Sequence, residues 1–244
     1  MDRLVYTAMS GAKQAMDRQA TVAHNLANAT TTGFRAQIDQ YRAVPVVGDA
    51  LPTRAFAVDS TTGAAFRPGS LQQTGRALDV AVQGDGWFVV QAADGSEALT
   101  RNGSFKLDEN GQLTTHDGLP VLGDGGPLAV PPGRNIAVGR DGTISLVPDG
   151  SAASTSLGKL KLVNPPAAGL ARGDDGLFRL RDGGGFDADP KVRVVDGALE
   201  GSNVNVVGEM VDMISLARQF DMQMKLLQNA QENDAKAGQL LAMA

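Results

Sequence analysis

The sequence predicts an α+β fold: long N- and C-terminal helices forming a coiled-coil domain, with an antiparallel β-rich domain inserted between them. Three observations carry this reading. Apolar residues recur at alternating steps of three and four at both ends of the chain, and the middle alternates short apolar runs with Asp-Gly dipeptides. All eleven prolines fall between Pro45 and Pro190, so neither end is interrupted.

The C-terminal helix is predicted over 206–243, with Met210, Met213, Ala217, Phe220, Met224 and Leu227 as its seam. Asn205 is placed at the N-cap, and Glu209 and Asp212 favour the positive N-terminal end of the helix. Such a helix is roughly 55 Å long at about 1.5 Å per residue, too long to stand alone in a globular domain. The N-terminus supplies the partner, a helix over 3–27 whose seam is Val5, Met9, Ala12, Met16, Gln19, Ala23 and Leu26. Met1, Leu4, Ala8, Gly11, Ala15 and Val22 line the flank beside that seam. Its small residues admit a close backbone, so the bulk at the contact comes from Met and Phe of the C-terminal helix.

The first helix is expected to stop in the run Asn28-Ala29-Thr30-Thr31-Thr32-Gly33, where three β-branched residues precede a glycine suited to positive φ, and Phe34 follows as an anchor. Residues 37–70 read as a helical or extended continuation into Ala43, then loops and edge strands, because Pro45, Pro52 and Pro68 exclude one long helix. Between 85 and 197, nine Asp-Gly dipeptides begin at Asp85, Asp94, Asp117, Asp124, Asp141, Asp149, Asp175, Asp182 and Asp196, joined by Asn102-Gly103 and Asn110-Gly111. These pairs supply the positive φ of tight hairpins, and runs such as LDVAVQ, WFVVQA, TISLV and KVRVV between them read as strands. The expected organisation is 1–36 for the first helix, 37–70 for a connecting segment, 71–198 for the β-rich domain and 199–244 for the second helix.

At 244 residues the chain buries a substantial core, and its net charge of -5 with no Lys/Arg cluster argues against a nucleic-acid or anionic membrane surface. Cysteine is absent, which excludes disulfides and thiolate metal sites. No apolar run resembles a secretory signal or a membrane span, and these rules alone point to the cytoplasm.

Catalytic and ligand motifs fare poorly. Nine of 27 acidic residues are used in Asp-Gly turns, so acidic density alone does not signal catalysis. Asp108-Glu109-Asn110-Gly111 meets its glycine too early for a calcium loop, and Phe186 breaks a calcium β-roll pattern in 182–187. Ser10 and Lys13 have S-x-x-K spacing without its companion motifs, and His24 and His116 lack a nucleophile elbow or a metal-binding helix. The glycines near Gly84 and Gly123 do not follow the order of a nucleotide cradle. The sequence therefore assigns no catalytic residue, cofactor, metal or small-molecule substrate. Apolar residues outside the main seam, Val207, Val211, Ile214, Leu216, Met222, Leu226, Leu240 and Leu241, exceed what one partner helix covers and favour packing against other subunits.

SGAKQAMDRQATVAHNLANATTTGFR closely resembles the N-terminal signature of flagellar rod and hook axial proteins. LDVAVQGDGWFVV and LTRNGSFKLDENGQLTTHDGLPVLG are similar to the two central β motifs of that family, and LEGSNVNVVGEMVDMI to its C-terminal one. RAVPV at 42–46, DDGLFRL at 174–180 and RQFDMQMK at 218–225 most resemble the proximal-rod members, and no long hook-type insert is present. The resemblance implies a structural, non-enzymatic subunit of the periplasmic rod that stacks with copies of itself and other rod proteins. It implies export by the flagellar type III system without a cleaved signal, which overrides the cytoplasmic expectation. It also places turn and inner-layer roles on Asn25, Asn28, Gly33, Phe34, Ser202, Asn203 and Val204. With the helical positions Val5, Met9, Met16, Leu26, Met210, Met213, Ile214, Phe220, Met224 and Leu227, these form the expected assembly interface. Two other classes stay open: an adhesive or ligand-binding β module on a helical stalk, for which Trp87 is the one tryptophan available, and a hydrolase with two converging carboxylates about 5–9.5 Å apart.

Overall fold

The computed structural model describes residues 2–45, 55–131, 133–148 and 153–242. Helix α1 spans Asp2–Ala27, strands β1 and β2 span Gln37–Pro45 and Ala55–Ala64, and helix α2 spans Val206–Ala242. The chain divides into two compact units: Met1–Ala29, Ala36–Ala64 and Val204–Ala244 in one, Thr30–Arg35 and Ala65–Asn203 in the other.

In the first unit α1 packs along α2. The close approach falls on small residues, since Ala8, Ala12, Ala15 and Val22 are buried and the Cα of Gly11 lies where a Cβ would stand 3.0 Å from the Gln223 side chain. This corrects the expected seam of α1: Ala12 keeps its place, but Met9 and Met16 are more than half exposed, and the rest of the buried stripe is Ala8, Ala15 and Val22, which the sequence assigned to the flank. The heavy methionines dominate the apolar pattern, but a close helix crossing is made where side chains are smallest. The stripe of α2 is likewise turned. Leu216 and Ala230 are buried and Met213, Phe220, Gln223 and Leu227 half-buried, whereas Met210, Ala217 and Met224 face outward. Met213, Phe220 and Leu227 therefore keep their expected place, and Leu216 moves into the contact. The side chains of Met1, Leu4, Leu240 and Leu241 lie outside the described residues.

Local signals set the helix ends. Asn205 caps α2, its Oδ1 accepting Gly208 N–H at 3.2 Å while its carbonyl accepts Glu209 N–H at 2.9 Å. At the end of α1, Asn28 donates both its backbone N–H and its side-chain amide to His24 O, closing the helix before the threonine run. The same unit holds an antiparallel ribbon of β1 and β2, with Gln37 opposite Ala64 and Pro45 opposite Ala55 and a bulge at Gln40/Tyr41. The helical alternative for residues up to Ala43 is thus excluded: Gln37–Pro45 is extended and pairs residue by residue with Ala55–Ala64. Pro52 and Val46 lie outside the described residues.

The second unit is an antiparallel β structure. Strands β3 (Leu71–Gln73), β4 (Val80–Gln83), β5 (Trp87–Gln91) and β6 (Glu97–Thr100) open it. A five-stranded sheet runs in the order 162–163, β5, β6, 178–180 and 170–172. Beside it β4 pairs with 193–196, β3 pairs with 198–200, and 133–138, 143–148 and 155–159 form a meander. Val80, Val82, Phe88, Val90, Phe105, Leu113, Val121, Ile144, Leu160 and Val194 fill the core, with the rings of Phe88 and Phe105 edge to face at 5.2 Å. Most of the Asp-Gly pairs place glycine at positive φ, as a hairpin needs; in Asp124-Gly125 the positive φ falls instead on Gly126, and Asp149-Gly150 lies outside the described residues. Gly103 serves a different purpose from the expected turn. It passes so close to the core strand that a Cβ there would stand 1.6 Å from Val80 O, so any side chain is excluded.

Candidate functional site

Two arrangements stand out, one in each unit. In the helical unit Asn25, 3% exposed, ties three elements together. Its Nδ2 donates to Gln37 O at 3.0 Å and to Glu209 Oε1 at 3.1 Å, and its Oδ1 accepts Gln37 N–H at 2.8 Å. Thr21 donates to Asp39 Oδ1 at 2.8 Å, fixing the root of β1 on α1, and Arg18 pairs with Asp212 of α2 at 3.6 Å on the surface. Burial raises the Glu209 carboxyl; the Asn25 amide pulls it back, Asp212 raises it further, and the net direction is upward.

Beyond this polar core the helices present a broad apolar surface. Tyr6, Met9 and Met16 of α1 and Val207, Met210, Val211, Ile214, Met222, Met224 and Leu226 of α2 are exposed. Val5, Leu26 and Asn28 are half-buried. Side chains of this size in a row are not the scattered apolar residues of an ordinary surface.

In the β unit the turn residues gather around one buried carboxylate. Glu200, 1% exposed, ends the strand that pairs with β3. Its Oε1 accepts Gly69 N–H at 2.8 Å and stands 2.7 Å from Arg35 Nη2, and its Oε2 accepts from Arg101 Nη1 at 2.8 Å. Its backbone carbonyl accepts Gly33 N–H at 2.7 Å. Arg101 continues to Gly84 O at 2.7 Å, and both guanidiniums lie by the Trp87 ring, at 5.3 Å for Arg101 and 5.9 Å for Arg35. Burial lowers the Arg101 guanidinium below its ordinary value, with Glu200 opposing that and Arg35 adding to it. Arg35 Nε and Nη1 and Arg101 Nε have no hydrogen-bond acceptor among the described residues, and Arg35 Nη2 meets Glu200 as an ion pair outside hydrogen-bond geometry.

The neighbouring turn residues complete the junction. Gly33 has φ 71°, and a Cβ there would stand 2.4 Å from the Arg101 carbonyl carbon. Phe34 is buried beneath the Arg172 guanidinium, 4.6 Å from its ring, and Arg172 donates to Arg35 O at 3.1 Å. Asn203 donates from Nδ2 to Ala65 O and Arg67 O, each at 2.8 Å, and from its backbone to Phe34 O at 3.3 Å. Ser202 and Val204 flank it half-buried. Gly33, Phe34 and Asn203, to which the resemblance gives turn and inner-layer roles, lie in this junction; Arg35, Arg101 and Glu200 are not singled out by the sequence, because isolated charged residues read as solvated surface.

The rival classes find little support in this geometry. Trp87 is 4% exposed, packed against Phe178 at 4.8 Å and Phe66 at 6.0 Å, and offers no platform to a ligand. A cleft of about 330 Å³ beside it has Asp85 as its one acidic lining residue, and a second of about 440 Å³ has Asp187 and Asp189, the latter accepting Lys191 N–H. Among the described residues no group of three His, Asp or Glu side chains converges as a metal site, and no helix is long and apolar enough to cross a membrane.

A helix pair that exposes Met9, Met16, Met210, Val211 and Ile214 has the surface of an assembling class of protein. Matches to known families specify it: residues 5–35 match the flagella basal body rod protein family, 81–146 the flagellar hook protein FlgE/F/G D1 domain, and 195–240 the flagellar basal body rod FlgEFG protein C-terminal family. The chain is 51% identical to the flagellar basal-body rod protein FlgF of Escherichia coli (strain K12), over 100% of both chains. It is 50% identical to that of Salmonella typhimurium, again over 100% of both, and 35% to that of Rhizobium meliloti over 96% of this chain and 95% of the relative. The chain belongs to the flagellar basal-body rod protein family, and these full-length relatives are of its FlgF type.

Proposed function

We propose that this chain is a structural subunit of the bacterial flagellar basal-body rod, placed in its proximal part, where it assembles helically and transmits torque across the periplasm for motility. The observation that carries the reading is the uncovered apolar face of the helix pair, with Met210, Val211, Ile214 and Met222 exposed on α2 and Met9 and Met16 on α1. Its occupants are the helices of neighbouring rod subunits, copies of this chain and other rod proteins. The interface is heterologous, so that it extends along a helix instead of closing into a dimer. The three-four spacing of the buried stripes on α1 and α2 supports a coiled-coil arrangement of this inner layer. The family resemblance adds export through the flagellar type III apparatus without a cleaved signal, and a role without enzymatic turnover.

Specificity among rod partners is assigned to the β1–β2 ribbon and the loops of the β unit, while the helical face supplies common affinity. The test replaces Ile214 and Met222 with Asp and measures incorporation into isolated basal bodies. The double variant is expected to fold, to be absent from rods and to abolish swimming; normal incorporation would remove this face from the interface.

A further inference from the structure

We infer that Glu200 is a clasp, the single carboxylate through which the β unit holds the segments by which the chain passes to and from the helical unit. The chain crosses between the units at 29/30, 35/36, 64/65 and 203/204. Every segment on the β side of those crossings is tied within a few residues of Glu200. Gly33 is held by its carbonyl, Arg35 and Gly69 by Oε1, and Arg101, the anchor in the body of the β unit, by Oε2. Asn203, three residues on, ties Phe34, Ala65 and Arg67 in the same way. The other buried carboxylate among the described residues, Asp79, touches no crossing: its side-chain partners are Thr74 and Arg76, within five residues of it.

The charges explain why this residue commands the junction. Two guanidiniums converge on one carboxylate in a buried site, with the Trp87 ring beside both and Gly84 O accepting from Arg101. Neutralising the carboxylate leaves two like charges buried side by side, and the route that relieves them is for Arg35 to swing outward, taking 30–35 with it and uncovering Gly69 N–H. The well-packed core around Phe88, Leu113 and Val121 has no charged member and shares no hydrogen bond with Glu200. The consequence for torque rests on the rod reading above: the four crossings are covalent links that bear load, so a loosened clasp gives a subunit that folds yet yields under load.

The experiment measures amide hydrogen exchange in the full-length protein carrying Glu200→Gln or Arg35→Met. Glu200→Gln is expected to speed exchange at Gly69 about tenfold or more, leaving Leu113 and Val121 near their original rates. Arg35→Met keeps the Arg101–Glu200 pair balanced, and is expected to speed exchange at Gly33 with the same core amides unaffected. Unchanged rates at Gly69 and Gly33 would overturn the clasp, as would a parallel rise of the core amides in the charge-balanced variant. Motility in viscous medium is a separate arm. Loosened amides with full swimming under load would refute the mechanical role, whereas unchanged amides would refute the clasp and leave the rod reading standing.

Discussion

Asn25 and Glu209, 184 residues apart in sequence, share a 3.1 Å hydrogen bond, and the same asparagine side chain closes a two-bond ring with the backbone of Gln37. One amide thereby fixes the end of α1, the first residue of β1 and the first turn of α2. Asn25→Ala leaves the Gln37 N–H and C=O without these partners in a part-buried site, and is expected to cost the helical unit about 1–3 kcal/mol. Urea titration followed by ellipticity at 222 nm measures it; a loss under a few tenths would show that solvent replaces the amide freely.

The Glu209 carboxyl gives this unit a pH dependence of definite sign. Burial first, then Asp212, raises it in the folded state above the ordinary glutamate value of 4.5, against the lowering by Asn25 and Arg18. A raised folded value means that the folded form holds the proton more tightly, so the stabilisation is present below 4.5 and is lost as pH rises through the folded value. Thermal melting of the helical signal is therefore expected to retain a component that favours mildly acidic over neutral pH, and Glu209→Gln removes that component. A pH profile identical in both proteins would overturn it.

The β unit carries the opposite sign. Burial pushes Glu97 up, but Lys161 at 2.6 Å and Phe186 N–H at 2.9 Å outweigh it, and the net direction is down. Asp175 is lowered chiefly by its bonds to Arg179, against burial. Both contribute stability above their ordinary values that is lost as pH falls through the lowered ones, so Trp87 emission is expected to report acid unfolding. Lys161→Met removes the main partner of a partly buried carboxylate. It should cost about 1 kcal/mol near neutrality and shrink the acid dependence.

Gly33→Val tests the turn after the threonine run. At φ 71° a β-branched residue is strained by about 1–3 kcal/mol, and its Cβ would also have to displace the Arg101 backbone from 2.4 Å. The variant is expected to lower the denaturation midpoint of the β unit and to shift Trp87 emission, since Arg101 stacks on that ring. Unchanged emission and midpoint would show that the backbone there accommodates a side chain.

What the sequence reveals depends on whether a signal is local. Asn205 as a cap, most of the Asp-Gly turns and the proline-free helices are each decided within a few residues, and these are found where expected. The stripe of α1 keeps Ala12 but is shifted by one position elsewhere, because Met9 and Met16 outweigh Ala8 and Ala15 in any apolar pattern, although the alanines are the buried residues. The Glu200 junction is hidden for a stronger reason: Arg35, Gly69, Arg101 and Glu200 meet only once the β unit has closed. The one local hint is Arg35 directly after Gly33-Phe34, a charge attached to a buried anchor.

The turned stripe on α2 separates folding from assembly at two residues six apart. Phe220 is half-buried within the stripe that meets α1, flanked by buried Leu216 and half-buried Leu227, whereas Ile214 is 57% exposed. Phe220→Asp puts a carboxylate into the contact between the helices, at a cost on the order of several kcal/mol if it stays there, so the pair should loosen before any partner arrives. Ile214→Asp places the same charge on the open face, where the free protein leaves it hydrated. Trp87 is the single tryptophan and lies in the β unit, so its emission reports that unit while ellipticity at 222 nm is dominated by the helices. Phe220→Asp is expected to lower ellipticity and its melting temperature with emission unchanged; Ile214→Asp should preserve both signals and still be excluded from rods. If Phe220→Asp left the helical melt intact, the α1–α2 packing would not be what stabilises the free subunit. Incorporation of Ile214→Asp at the parent level would instead show that the exposed stripe is not the surface on which neighbouring subunits dock.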